Sequence, residues 1–245
     1  MSAINPPQVI AIDGPAASGK TTVGRLLAEA LGFLLLDTGS MYRAVTLAAL
    51  QQRVHIDDEA AVVALARAVV VEVMPAFPHQ DGRLFTVLLD GRDVTWELRT
   101  AAVDAHVSQV SAYREVREEM VRQQRLLARQ GRIVMVGRDI GTVVVPDAPL
   151  KLYVTASVNE RARRRWQERQ GRGSQDSYEA VLADMKRRDR IDSSREYSPL
   201  RAATDAILLD TTTHSPESVV QKILGLCYEK RDPESASAHK DGLDT

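Results

Sequence analysis

Short apolar runs recur along the chain, each ending in a polar or glycine tip, and apolar residues at helical spacing fill the intervals between them. Val9-Ile10-Ala11-Ile12 predicts a buried strand. Val23, Leu26, Leu27, Ala30 and Leu31 then repeat at helical spacing as far as Gly32, a residue suited to cap a helix C-terminus. Phe33 to Leu36 predicts a second strand, tipped by Asp37-Thr38-Gly39. A helix follows from Ser40 to about Gln52, with Met41, Val45, Ala48 and Ala49 spaced for burial. Ile133 to Val136, tipped by Gly137-Arg138-Asp139, predicts a third strand, Leu150 to Val154 a fourth and Ile207 to Asp210 a fifth. Ser215-Pro216 opens a closing helix that runs to about Tyr228. Strands alternating with helices in this way predict an α/β fold, a five-stranded parallel sheet with helices on both faces.

Two stretches interrupt that alternation. After a helix capped by Asp57-Asp58, residues from about 69 to 96 turn β-rich, with Asp81-Gly82 and Asp90-Gly91 as turn dipeptides. They predict a small inserted antiparallel unit of structural role, after which helical texture continues from Ala101 to Gln130. The second stretch, residues 157–201, holds twelve Lys or Arg against eight Asp or Glu, and Gly171-Arg172-Gly173 breaks it into two helices. Most of those charges are expected to be exposed and paired. The shape is nonetheless that of a hinged lid carrying arginines.

Composition narrows the class. At 245 residues with 44% hydrophobic, the chain can bury a substantial core. Thirty-two Lys plus Arg against 33 Asp plus Glu give a net charge of −1, which exerts no general pull toward nucleic acid or an anionic membrane. Cys227 stands alone in an apolar run and reads as a core residue. The first residues carry no basic region leading into an apolar stretch, and no apolar run approaches the roughly 18 residues of a membrane span. A soluble, cytoplasmic monomer without nucleic-acid or membrane partners is expected. Beyond Lys230 the chain is small and polar, which predicts a disordered tail over 231–245.

The chemistry enters between the first strand and the first helix. Gly14-Pro15-Ala16-Ala17-Ser18-Gly19-Lys20-Thr21-Thr22 has the G-x-x-x-x-G-K-[ST] spacing of a phosphate-cradling loop, set in the strand-to-helix context such a loop requires. Backbone N–H groups at the helix N-terminus face polyphosphate, Lys20 reaches the outer phosphates, and a threonine hydroxyl meets Mg²⁺. Thr21 is the expected metal contact, with Thr22 and Asp37 as neighbours able to help. Tyr42 and Arg43 begin the helix beside the second strand tip, well placed for another phosphate.

Four separated motifs, in order, resemble those of the bacterial cytidylate kinases, a P-loop nucleoside monophosphate kinase family. They are Gly14 to Thr22, Leu36-Asp-Thr-Gly-Ser-Met-Tyr-Arg43, Gly137-Arg-Asp-Ile-Gly-Thr142 with Pro146-Asp-Ala-Pro149, and Arg188-Asp-Arg-Ile-Asp192 with Arg195. The similarity spans about residues 8–229. It implies ATP as phosphoryl donor on residues 14–22, Mg²⁺, and CMP or dCMP as acceptor. Ser108, Arg117 and Asp139 would contact cytosine, and Arg188 and Asp192 the ribose. Arg43, Arg138 and Arg195 would hold the acceptor phosphate, with Thr38 and Tyr42 nearby. A single kinase domain is implied, its core at about 8–37, 131–156 and 204–229, its acceptor-binding region at 38–130 and its lid at 157–172. Transfer then rests on Lys20, Arg138, Arg188 and the lid arginines Arg161 and Arg165, because a migrating phosphoryl group needs positioning and positive charge more than covalent chemistry. Two positions depart from the family pattern: Ala17 where Gly is common, and Val145 where Phe is common. A kinase for UMP is the nearest alternative, followed by a P-loop switch, for which no guanine-specifying N-K-x-D appears, and a nucleic-acid binder using the 157–201 cluster.

Overall fold

The computed structural model describes residues 6–76, 81–171 and 173–229; the expected tail at 231–245 lies outside the described residues. Strand β1 (Val9–Asp13) leads through the glycine-rich loop into helix α1 (Lys20–Leu31). Strand β2 (Leu34–Asp37) follows, then helix α2 (Gly39–Gln51). Helix α3 (Glu59–Ala68) is capped by the Asp58 carboxylate, which accepts the Ala61 N–H. The insert consists of β3 (Val71–Pro75), β4 (Phe85–Leu89) and β5 (Arg92–Asp93), paired antiparallel in that order.

Ala101–Gln130 is not one helix. Helix α4 (Ala101–Val110) ends in a turn, and helix α5 (Arg114–Ala128) starts again beyond it. The break is held from outside, since Tyr113 donates its hydroxyl to the Ile56 carbonyl at 2.7 Å. Strand β6 (Ile133–Gly137) then returns the chain to the main sheet, and after a π-type turn at Ile140–Val144 come β7 (Leu150–Thr155) and helix α6 (Val158–Gly171). Helix α7 (Tyr178–Ser194), strand β8 (Ile207–Asp210) and helix α8 (Pro216–Glu229) complete the described chain.

The main sheet runs β2-β6-β1-β7-β8, all parallel. Its central strands are apolar because both faces are covered: Ile10, Ala11, Ile12, Val134, Met135 and Val136 have no exposed surface. Register aligns the polar tips along one edge, Asp13 opposite Gly137 and Tyr153, and Thr155 opposite Asp210. In open parallel sheets that carboxyl edge is where ligands gather. Helices α6 and α7 form a second, smaller cluster around Ala162, Val181 and Met185, and Ala16 and Ala17 of the loop pack against it. Helices α6 and α7 are thus seated on the phosphate loop.

Candidate active site

The loop after β1 is tight for a steric reason. A Cβ on Gly14 would fall 2.0 Å from the Val154 carbonyl oxygen, so only glycine lets the loop lie against β7. Ala17 adopts φ 57°, in the left-handed region that costs a non-glycine residue about 1 kcal/mol. The position flagged in the sequence therefore does take the strained conformation, and its methyl rests on the lid cluster. Lys20 bends back to donate to the Pro15 carbonyl at 2.9 Å, and burial followed by the neighbouring Arg138 pushes its pKa down to about 7. Thr21 donates its hydroxyl to Asp37 Oδ2 at 3.2 Å.

Across the same edge lies a cluster of arginines and acids. Arg117 and Asp139, both buried, pair at 2.6 Å. Arg117 also donates to the Ser111 carbonyl, freed by the break between α4 and α5, and lies 5.2 Å from the Tyr42 ring centroid. Asp192 receives two guanidinium groups, Arg138 Nε on Oδ2 at 2.5 Å and Arg195 Nη2 on Oδ1 at 2.7 Å. Arg117 Nε and Arg195 Nε are buried without a hydrogen-bond partner. Arg188 forms no hydrogen bond or ion pair among the described residues, and burial and then the adjacent Arg138 lower its pKa. A set of cations this close, with donors left unpaired, is suited to receive an anion.

A cavity of about 920 Å³ joins the two ends. Of the residues singled out in the sequence, Ala16, Ala17, Gly19, Lys20, Thr21 and Thr22 line it on the loop side. Thr38, Tyr42, Arg43, Ser108, Arg117, Arg138, Asp139, Arg165, Arg188, Asp192 and Arg195 line the rest. Gly14, Pro15 and Ser18 lie behind the loop wall rather than on the cavity, and Ser18 is fully buried. Arg43 is held by Asp104 at 2.6 Å and by the Leu98 carbonyl, and Thr38 donates to the Val136 carbonyl. Arg165 faces the cavity while paired with Glu168. Arg161 does not line it: the guanidinium makes two bonds to Asp189, at 3.0 and 2.7 Å, and another to the Ala156 carbonyl.

Several residues escaped the sequence reading. Arg83, Leu84, Phe85 and Trp96 bring the insert, expected to be structural only, onto the cavity wall. Arg164 donates to the Thr211 hydroxyl and carbonyl and, with Gly19, Thr22, Thr212 and His214, lines a second cavity of about 420 Å³ on the far side of the loop. Asp13, 3% exposed, accepts the N–H groups of Ile140 and Gly141. Only the basic texture of the lid signalled Arg164, and nothing in the local pattern distinguished Asp13 from an ordinary strand end.

Residues 10–229 match a family model described as cytidylate kinase. The cytidylate kinase of Herpetosiphon aurantiacus is 50% identical over 220 residues, covering 90% of this chain and 94% of that one. That of Bacillus pumilus is 49% identical over 215 residues, covering 88% and 93%. That of a Geobacillus species is 47% identical over 221 residues, covering 90% and 96%. A phosphate loop, a facing arginine cluster and a match over nine-tenths of the chain converge on one conclusion: the chain belongs to the cytidylate kinase family.

Proposed function

We propose that the protein transfers the γ-phosphoryl group of ATP to CMP, and to dCMP, giving ADP and the pyrimidine nucleoside diphosphate. The observation that carries this reading is the shared cavity, in which Lys20 at one end faces Arg138, Asp139, Arg188 and Arg195 at the other. Two phosphorylated ligands bound end to end bring the attacking and transferred groups together, and catalysis is positioning plus positive charge. The ATP phosphates lie in the loop, with the nucleoside in the second cavity beside Arg164. Asp139 and Ser108 read the cytosine edge, and Arg43, Arg138 and Arg195 hold the acceptor phosphate.

Magnesium fits the donor set: a hydroxyl and a carboxylate oxygen, Thr21 and Asp37, meet at 3.2 Å beside the loop, and hard oxygen ligands plus phosphate suit this ion. When bound with ATP it neutralises charge on the phosphate oxygens. Arg165 and Arg188 supply further charge from the lid side. Among the described residues no helix is long and apolar enough to cross a membrane, and we read the protein as a cytoplasmic monomer of one kinase domain. ADP formation measured with ATP, Mg²⁺ and each nucleoside monophosphate in turn tests the proposal. CMP and dCMP are expected to lead, and faster turnover of UMP would overturn the choice of acceptor.

A further inference from the structure

Asp13 stands where the two halves of the site share a root. It is the last residue of β1, directly before Gly14, and both its carboxylate oxygens are engaged: Oδ1 accepts the Ile140 N–H and Oδ2 the Gly141 N–H, each at 2.8 Å. Those amides open the turn Ile140–Val144, whose far end is tied to Asp139, since the Val143 and Val144 N–H groups both reach the Asp139 carbonyl. The chain has no slack upstream. A Cβ on Gly137 would lie 2.6 Å from Ile140 Cδ1 and 2.7 Å from Thr38 Oγ1. Any shift of residues 140 and 141 therefore passes to Asp139 and Arg138, the neighbours they follow.

We propose that Asp13 is a positioning residue for the acceptor, holding from the base of the phosphate loop the turn that aims Asp139 and Arg138. The role requires a carboxylate. Two converging N–H groups need two acceptor oxygens, and an amide offers one oxygen and turns its NH₂ against the other N–H. Burial raises the Asp13 pKa to about 6; the two N–H bonds and Lys20 of α1 oppose the rise, and Asp139 adds to it. The other charged or titratable groups around it are Arg138, Tyr153 opposite it on β7, and Lys151 of β7, whose stem lies 3.2 Å from a Cβ position on Gly141. Asp13 is thus a full acceptor at neutral pH and loses half of its accepting capacity as pH falls through 6.

The inference rests on the reading of Asp139 as the group that selects cytosine, and the test separates the two. In Asp13→Asn, kcat/KM for CMP is expected to fall by about ten- to a hundredfold through KM, as a misplacement of the order of 1 Å does. The preference for CMP over UMP narrows, and KM for ATP stays within about twofold of the parent. An unchanged preference in a folded variant, or equal losses toward CMP and ATP, overturns the proposal. If the unsubstituted protein shows no preference for CMP, the role of Asp139 fails instead. Should Asp13→Asn not fold, the unsubstituted chain carries the test. Deuterium exchange across residues 138–144, corrected for intrinsic rates, is expected to quicken between pH 7 and 5.5. Binding of cytidine, which lacks the phosphate that titrates near about 6, weakens in parallel. If either stays constant, the proposal falls.

Discussion

Among the described residues Lys20 is a buried cation that forms no salt bridge, and that condition sets how it responds to pH. With its pKa lowered to about 7 by burial and by Arg138, part of the population is neutral at physiological pH. Bound polyphosphate draws the pKa back up, so above pH 7 binding must take up a proton, whereas below pH 7 the lysine is already charged. ATP affinity is therefore expected to weaken as pH rises from 7 to 8.5, by up to about tenfold per unit. Titration calorimetry at several pH values measures this, and a flat profile would remove Lys20 from the outer phosphates. Lys20→Ala should bind weakly with no slope and lose transfer activity by more than about a hundredfold while remaining folded. Asp139 poses a different problem, because it is already paired. Its partner is Arg117, at 2.6 Å in a buried setting, while the adjacent Arg138 goes to Asp192. Asp139→Asn removes the buried counter-charge of the Arg117 guanidinium, so a stability loss of about 3 kcal/mol is expected in thermal unfolding. The same change replaces an acceptor-only group by one that can also donate, which suits the uracil carbonyl and narrows the CMP-to-UMP ratio of kcat/KM. Equal losses for both nucleotides would make Asp139 a scaffold for Arg117.

At the scale of elements, the lid separates two arginines that look alike in sequence. Arg161 is 5% exposed and joins α6 to α7 through Asp189, with a further contact at 3.4 Å to the Ala16 carbonyl of the phosphate loop. Arg165, one turn on, faces the cavity. Arg165→Ala is expected to lower kcat by about tenfold or more with the unfolding temperature unchanged. Arg161→Ala leaves Asp189 unpaired and is expected to cost about 3 kcal/mol of stability, with activity falling as the lid loosens. A stable, inactive Arg161→Ala would return that residue to the transferring phosphate. The same contrast marks what the sequence could disclose. Strands β1, β2, β6, β7 and β8 were legible because a parallel sheet covered on both faces demands continuous apolar runs, and the loop because its glycines answer a local steric need. The break at Ser111–Tyr113 was not, since neither Gly nor Pro marks it and the contact that holds it comes from Ile56, 57 positions away. Asp13, Arg164 and the partner of Arg161 were hidden for the same reason: their roles depend on pairings between segments far apart in the chain.

The whole molecule must solve a problem of timing, because a site able to activate ATP toward a phosphate oxygen of CMP can also pass the phosphoryl group to water. The cavity of about 920 Å³ is open enough to admit water while the acceptor end is empty. Its walls come from three parts of the chain, namely the sheet edge with the phosphate loop and the tip of β6, the region from Thr38 to Arg117 with the insert, and helices α6 and α7 carrying Arg165, Arg188 and Asp192. The first and third are already coupled, since Ala16 and Ala17 pack on the lid cluster and Arg161 reaches the Ala16 carbonyl. They are joined again by Arg138, at the tip of β6, on Asp192 of α7, and the second meets the stretch after α7 through Arg114, which hydrogen bonds the Tyr197 hydroxyl and stacks on its ring at 4.2 Å. An acceptor nucleotide placed as proposed, on Arg138, Arg188 and Arg195, would bridge the walls and displace water from between them. On the proposed assignment of Arg188 and Arg195 to the acceptor, full charge stabilisation arises only when both nucleotides are present. ADP release from ATP and Mg²⁺ alone is therefore expected to run at less than about one-hundredth of the rate with CMP. Cytidine, which fills the base pocket without engaging the phosphate-binding arginines, should leave hydrolysis near its low basal rate. Comparable ADP release with and without CMP would mean that the lid does not gate the chemistry, and that the loop alone positions ATP for attack.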